Sequence, residues 1–168
     1  MSLYEIKEAV LKQPSLLQYG INSTLRPKLD FFVEELGMEE SSVSRLVKLA
    51  PAVLGLSLAD NLRPKVASIM KLCDLSPYEI GYIVSTSPQE LLLSQKNKIE
   101  PTLRYLWTAL MLKKPRELGE IVLKAPRVLR QGIETSLARK IEMLTNCNAQ
   151  KSRSNAISII RNNPSLLT

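Results

Sequence analysis

The chain has 168 residues, 45% of them hydrophobic and 23% charged, with ten prolines, two cysteines and no histidine. Its apolar runs are short, and Pro77, Pro88 and Pro101 with the charges between them exclude a membrane span there. Net charge is +7 but uneven: residues 1–84 sum to −1 and residues 85–168 to +8, which points to a polyanionic partner on the second half.

Residues 1–13, MSLYEIKEAVLKQ, place Ile6, Ala9, Val10 and Gln13 at i, i+3, i+4 and i+7, the spacing of an amphipathic helix. Ile6 has counterparts at Val43, Ile80 and Leu118, and Val10 at Val47, Val84, Val122 and Ile160. Residues 1–13 therefore read as the closing helix of an incomplete repeat. Pro14 then opens PSLLQYGINSTLRPK, and near-copies open at Pro51, Pro88 and Pro126, with PSLL at Pro164. These prolines lie 37, 37, 38 and 38 residues apart, the signature of stacked helical units. The expected array runs 14–50, 51–87, 88–125 and 126–163, with 164–168 beginning another repeat, all in one domain spanning 1–168.

Each repeat reads alike. The fourth residue of the opening turn is Leu17, Leu54, Leu91, Leu129 and Leu167, and a proline-led turn of this length suits a 3₁₀ segment. A first long helix follows, with a core face of Leu25/Leu29/Phe32, Leu62/Val66/Ile69, Ile99/Leu103/Leu106 and Leu137/Ile141/Leu144. Ser57-x-x-Asp60 resembles its capping box. An inner proline stands thirteen residues after each opener, at Pro27, Pro64 and Pro101, with Arg139 in the fourth repeat. It either bends this helix or marks its start. Gly37 is expected to end the first helix of the opening repeat. The second helix is clearest at 75–86, with Ser76 as N-cap, Pro77 in the first turn and Glu79 closing the box; it must stop before Pro88. Asn146–Arg153 reads as a polar loop.

With no histidine, the commonest general base and metal ligand are missing, and the six glycines form no phosphate loop. Glu34/Glu35 and Glu39/Glu40 read as a solvated helix end rather than an acid–base pair. Cys73 and Cys147 lie about two repeats apart and read as small core residues, neither a disulfide nor a metal site. The chain is expected to have no catalytic residues, cofactor, metal, membrane segment or small-molecule substrate.

The pattern of proline, leucines, serine and Leu-Arg-Pro-Lys before an apolar helix, best seen in PAVLGLSLADNLRPKVASIMKLCDLSPYEIGYIVSTSP (51–88), resembles the mitochondrial transcription termination factor (mTERF) repeat. Glu100 and Thr102 around Pro101, and Arg139 in place of proline, depart from it and leave the bend open in those repeats. The resemblance implies an all-α, curved α-solenoid of about four helix–helix–3₁₀ repeats with a basic groove for duplex DNA or RNA. It implies work in mitochondria or chloroplasts, in transcription termination or regulation, RNA maturation or ribosome assembly, alongside other organellar gene-expression proteins. A protein-interaction scaffold of HEAT type is the alternative. Starting and ending inside repeats, without a transit or signal peptide, the chain reads as part of a longer precursor, with sticky ends at Ile6/Val10 and after Leu167.

Three sets of cations are candidates for the groove. Lys12, Lys48, Lys124, Arg127, Arg130 and Arg161 flank the opening prolines. Lys113, Lys114, Arg116, Lys151 and Arg153 lie between the helices of the later repeats. These two sets are favoured, because the charge excess falls there. Arg26/Lys28, Arg63/Lys65 and Arg139/Lys140 flank the inner proline position; the first two pairs could equally contact the helix ends of the adjacent repeat or simply be solvated. Tyr19, Tyr82, Tyr105 and Trp107 are candidate stacking platforms, the last two also readable as partly buried between repeats.

Overall fold

The computed structural model describes residues 3–146 and 153–168, and these form an all-α solenoid with no strand among them. The helices are α1 (Leu3–Lys12), α2 (Arg26–Asp30), α3 (Glu40–Leu49), α4 (Arg63–Cys73), α5 (Pro77–Thr86), α6 (Glu100–Ala109), α7 (Pro115–Lys124), α8 (Ala138–Asn146) and α9 (Arg153–Asn162). A short 3₁₀ turn starts at each opening proline: Pro14–Gln18, Pro51–Gly55, Pro88–Leu92, Pro126–Arg130 and Pro164–Leu167. Backbone packing divides the chain into two compact units. One comprises Met1–Met70 and Leu75–Leu92, the other Lys71–Asp74 and Leu93–Thr168.

In the first compact unit α1 packs on α3 and α3 on α5, and each 3₁₀ turn lies against the next. The core face runs through Phe32, Val43, Leu46, Val53, Leu62, Val66, Ile69, Ile80 and Val84, all at most 6% exposed. In the second, Ile99, Leu103, Leu106, Leu118, Val122, Leu129, Leu137 and Ile160 are at most 2% exposed. Leu25, Leu29 and Leu144, placed on the same face by their spacing, are only half-buried. Ile6 and Leu17 are 47% and 77% exposed, so the apolar end expected around α1 is present. At the other end Leu167 is fully buried, while Leu166 beside it is 44% exposed.

The inner proline neither kinks a regular helix nor begins one. Each first helix starts earlier, at Ile21, Leu58, Gln95 and Ile133, with a wide turn closed by i→i+5 hydrogen bonds. The closing bonds run from Leu25 N to the Gly20 carbonyl, Leu62 N to Ser57, Ile99 N to Ser94 and Leu137 N to Gly132, all 2.9–3.1 Å. The proline follows at the second position of the α-helical part in α2, α4 and α6, the seventh residue of the continuous helix, so it offers no N–H to the carbonyls of the wide turn before it. Arg139 holds that place in the fourth repeat and the wide turn still forms, so proline is not its cause. The third and fourth repeats, where Glu100, Thr102 and Arg139 depart from the motif, both have this same wide turn. Ser57 and Ser94 cap two of these turns through their hydroxyls, accepting from Asp60 N (3.1 Å) and Asn97 N (3.3 Å).

Second helices begin as their sequence demands. The Ser76 hydroxyl accepts from Glu79 N (3.3 Å), and Glu79 Oε2 accepts from Ser76 N (2.9 Å), closing the capping box of α5. Between the two helices of the first three repeats the chain turns through a left-handed residue: Gly37 (φ 62°), Asp74 (φ 51°) and Met111 (φ 52°). They recur every 37 residues, but only the first is a glycine.

Candidate nucleic-acid interface

The lysine of the Leu-Arg-Pro-Lys motif has a structural task. Lys28 and Lys65 are 6% and 2% exposed, and their ammonium groups donate to the carbonyls of Leu54 and Leu91, the fourth residues of the following 3₁₀ turns. Lys140 does the same with Leu167 (3.0 Å). Such carbonyls at the end of a short helical turn lack an internal partner and attract cations. Burial pushes the ammonium pKa of Lys28 and Lys65 down, and the nearby Tyr19 partly offsets this at Lys28. The third repeat has Thr102 at this place, fully buried with its hydroxyl unpartnered, while Lys98 donates to the Gln131 carbonyl at 2.7 Å. Arg63 pairs instead with Glu35, whose carboxylate raises the guanidinium pKa. Most of the set flanking the inner proline thus fastens one repeat to the next; Arg26 and Arg139 point into solvent.

The favoured cations divide by partner. Lys12 and Lys48 sit together where α1 packs on α3: Lys12 donates to the Lys48 carbonyl at 3.0 Å, and Lys48 lies 3.5 Å from Glu5. Arg161 is taken up by Glu117 at 2.6 Å. Hydrogen bonds from Lys113 N and Lys114 N, together with Arg161, hold the Glu117 carboxyl below its ordinary pKa. Lys124 ends α7, and Arg127 and Arg130 stand in the turn that follows; all three are exposed. Lys124 and Arg127 make no ion pair with any described carboxylate. Lys113, Lys114 and Arg116 precede or open the same helix, so they belong to its other end, about 14 Å away at 1.5 Å per residue. Arg116 donates to the Asp74 carbonyl at 3.1 Å. Lys151 lies outside the described residues, as does the side chain of Arg153, whose backbone opens α9.

The aromatic candidates also separate. Tyr19 is half-buried with its ring 5.5 Å from the Lys28 ammonium, so it serves the fastening rather than an open face. Tyr82 is 58% exposed on α5. Tyr105 and Trp107 are half-buried on α6. Sequence reasoning passed over Lys96, which is exposed in the wide turn Gln95–Ile99 that packs on the Pro126–Arg130 turn. Its place in the second-half charge excess was the available signal.

Residues 1–71 match the mTERF family model, and the same helix–helix–3₁₀ anatomy continues to Leu167. A comparison with curated proteins finds no match.

Proposed function

We propose that this chain, an mTERF-repeat protein by its match over residues 1–71, binds nucleic acid through the phosphate backbone at the end of α7 and the turn after it. One observation carries the reading: Lys124 and Arg127 are exposed in adjoining elements and have no carboxylate partner among the described residues. Unpaired cations of this kind release condensed counterions when phosphates replace them, which is the main source of non-specific affinity. Arg130, Lys96 and the ends of neighbouring repeats extend the same basic ground. The function is binding, without catalysis, in organellar gene expression; termination and RNA maturation are the roles that fit a phosphate-tracking surface.

The test titrates duplex DNA, single-stranded DNA and single-stranded RNA of equal length against the protein at several salt concentrations. Neutralising about five phosphates on duplex DNA gives a log–log salt slope of about −4.5. The triple variant Lys124→Glu/Arg127→Glu/Arg130→Glu, checked for retained helicity, should lose at least about tenfold in affinity. A flat salt response, or wild-type affinity in the triple variant, overturns the proposal.

A further inference from the structure

The groove between the first and second helices of a repeat is built twice with opposite charge. In the first repeat a cavity of about 340 Å³ is floored by Leu29, Val33 and Val43 and rimmed by Asp30, Glu34 and Glu40, all three acids exposed. Two repeats further on, the matching positions are Leu103, Trp107 and Leu118 for the floor, with Arg104, Thr108 and Pro115 at the rim. Lys71 joins this second rim, and the cavity holds about 370 Å³. Leu103 and Leu118 are 1% and 2% exposed and Trp107 is half-buried, while Lys71 and Arg104 are exposed and make no ion pair with a described carboxylate. The same backbone therefore carries three carboxylates in one copy and two cations plus an indole in the other.

An apolar floor of this size takes one bulky side chain, and a half-buried tryptophan beside arginine is the composition that dominates binding hot spots. A nucleobase fits the cavity less well. Its polar edges need facing donors and acceptors, and the Thr108 hydroxyl already donates to the Arg104 carbonyl at 3.1 Å. Exposed Lys113 and Lys114, just before Pro115, enlarge the positive ground at the rim. We infer that the cavity beside Trp107 docks an acidic segment of a partner protein, one apolar side chain seated on Leu103, Leu118 and Trp107 and flanking carboxylates on Lys71 and Arg104. This surface lies at the opposite end of α7 from Lys124, so it does not rest on the proposed nucleic-acid contact.

Trp107 is the chain's only tryptophan, so its fluorescence reports the cavity directly. The probe is a panel of 12-residue Asp/Glu peptides with one central Leu, Ile or Phe and no Trp or Tyr. Binding should shift the Trp107 emission saturably and weaken as salt rises. It should fall at least about tenfold in Lys71→Glu/Arg104→Glu, with helicity checked by circular dichroism. Asp30→Lys/Glu34→Lys, in the acidic counterpart, should leave it unchanged. Should the double variant fail to fold, the peptides decide: replacing the central residue by Ser, or the acids by Lys, must abolish the shift on the unaltered protein. The inference is overturned if no panel member shifts Trp107 at millimolar concentration, or if lysine-rich peptides do so equally. It is also overturned if single-stranded oligonucleotides shift Trp107 where no peptide does.

Discussion

Lys65 and Arg63 stand two residues apart in one motif and meet opposite environments. Lys65 is buried and satisfies the Leu91 carbonyl, whereas Arg63 pairs with Glu35 in solvent. Removing the lysine strands a buried acceptor and leaves a void, so Lys65→Ala should cost about 2–3 kcal/mol in chemical denaturation. Arg63→Ala should cost far less than Lys65→Ala, because exposed ion pairs are screened by solvent. Equal losses in the two variants would refute this division. Sequence alone offered contact with the adjacent repeat as one reading beside the groove and plain solvation, because proline fixes the register but not which neighbour a long side chain meets. The partners of Lys48 and Arg161 follow one rule that the period could have disclosed: Glu5 and Glu117 hold the same place in their repeats, as Lys48 and Arg161 do, and each cation reaches the acid of the preceding second helix. Glu117 gives a pH signature. Its folded pKa lies below the unfolded value of about 4.3, so its contribution is complete above that pH and is lost as pH falls through the folded value. Glu117→Gln should therefore flatten the acid limb of a stability–pH curve measured between about pH 5 and 2 while leaving its slope near pH 7 unchanged.

Among the elements, the starts of the 3₁₀ turns and of α5 were legible, because proline and the Ser-Pro-x-Glu box act on the backbone locally; α3 and α7 lack that serine. The wide first turn was not. Its i→i+5 bonds form with either Pro or Arg at the inner position, and no residue type marks them. The left-handed joints were half-legible: Gly37 announces one, while Asp74 and Met111 hold the same conformation despite their side chains. The 37-residue period applied to Gly37 would have found both. A β-carbon costs about 1 kcal/mol or more there, partly offset by the added freedom of an unfolded glycine. Met111 is 68% exposed and so has little packing to lose. Met111→Gly should raise the unfolding free energy by up to about 1 kcal/mol, and a drop in melting temperature would show that the joint is held by contacts of the methionine. Gly81 is the opposite case. A methyl group there would lie 2.4 Å from the Leu36 carbonyl oxygen, so the approach of α5 to the end of the first helix depends on glycine.

For the molecule as a whole, the charge excess read from the sequence survives folding in the second compact unit. Glu117, Glu35 and Glu5 neutralise cations nearby, but Lys96, Arg104, Lys113, Lys114, Lys124 and Arg127, all within the second compact unit, keep their charge exposed and without a described acidic partner. That unit folds against its own repulsion. In dilute buffer it should be the first to melt, and a calorimetric scan should show its transition climbing with added salt while that of the other unit stays nearly still. A polyanion such as heparin would reproduce the rise at far lower ionic strength, because it binds only the assembled cations. Occupancy and folding are then one equilibrium in that half, and an empty protein in the cold room and a loaded one at growth temperature differ in how much of the chain holds together.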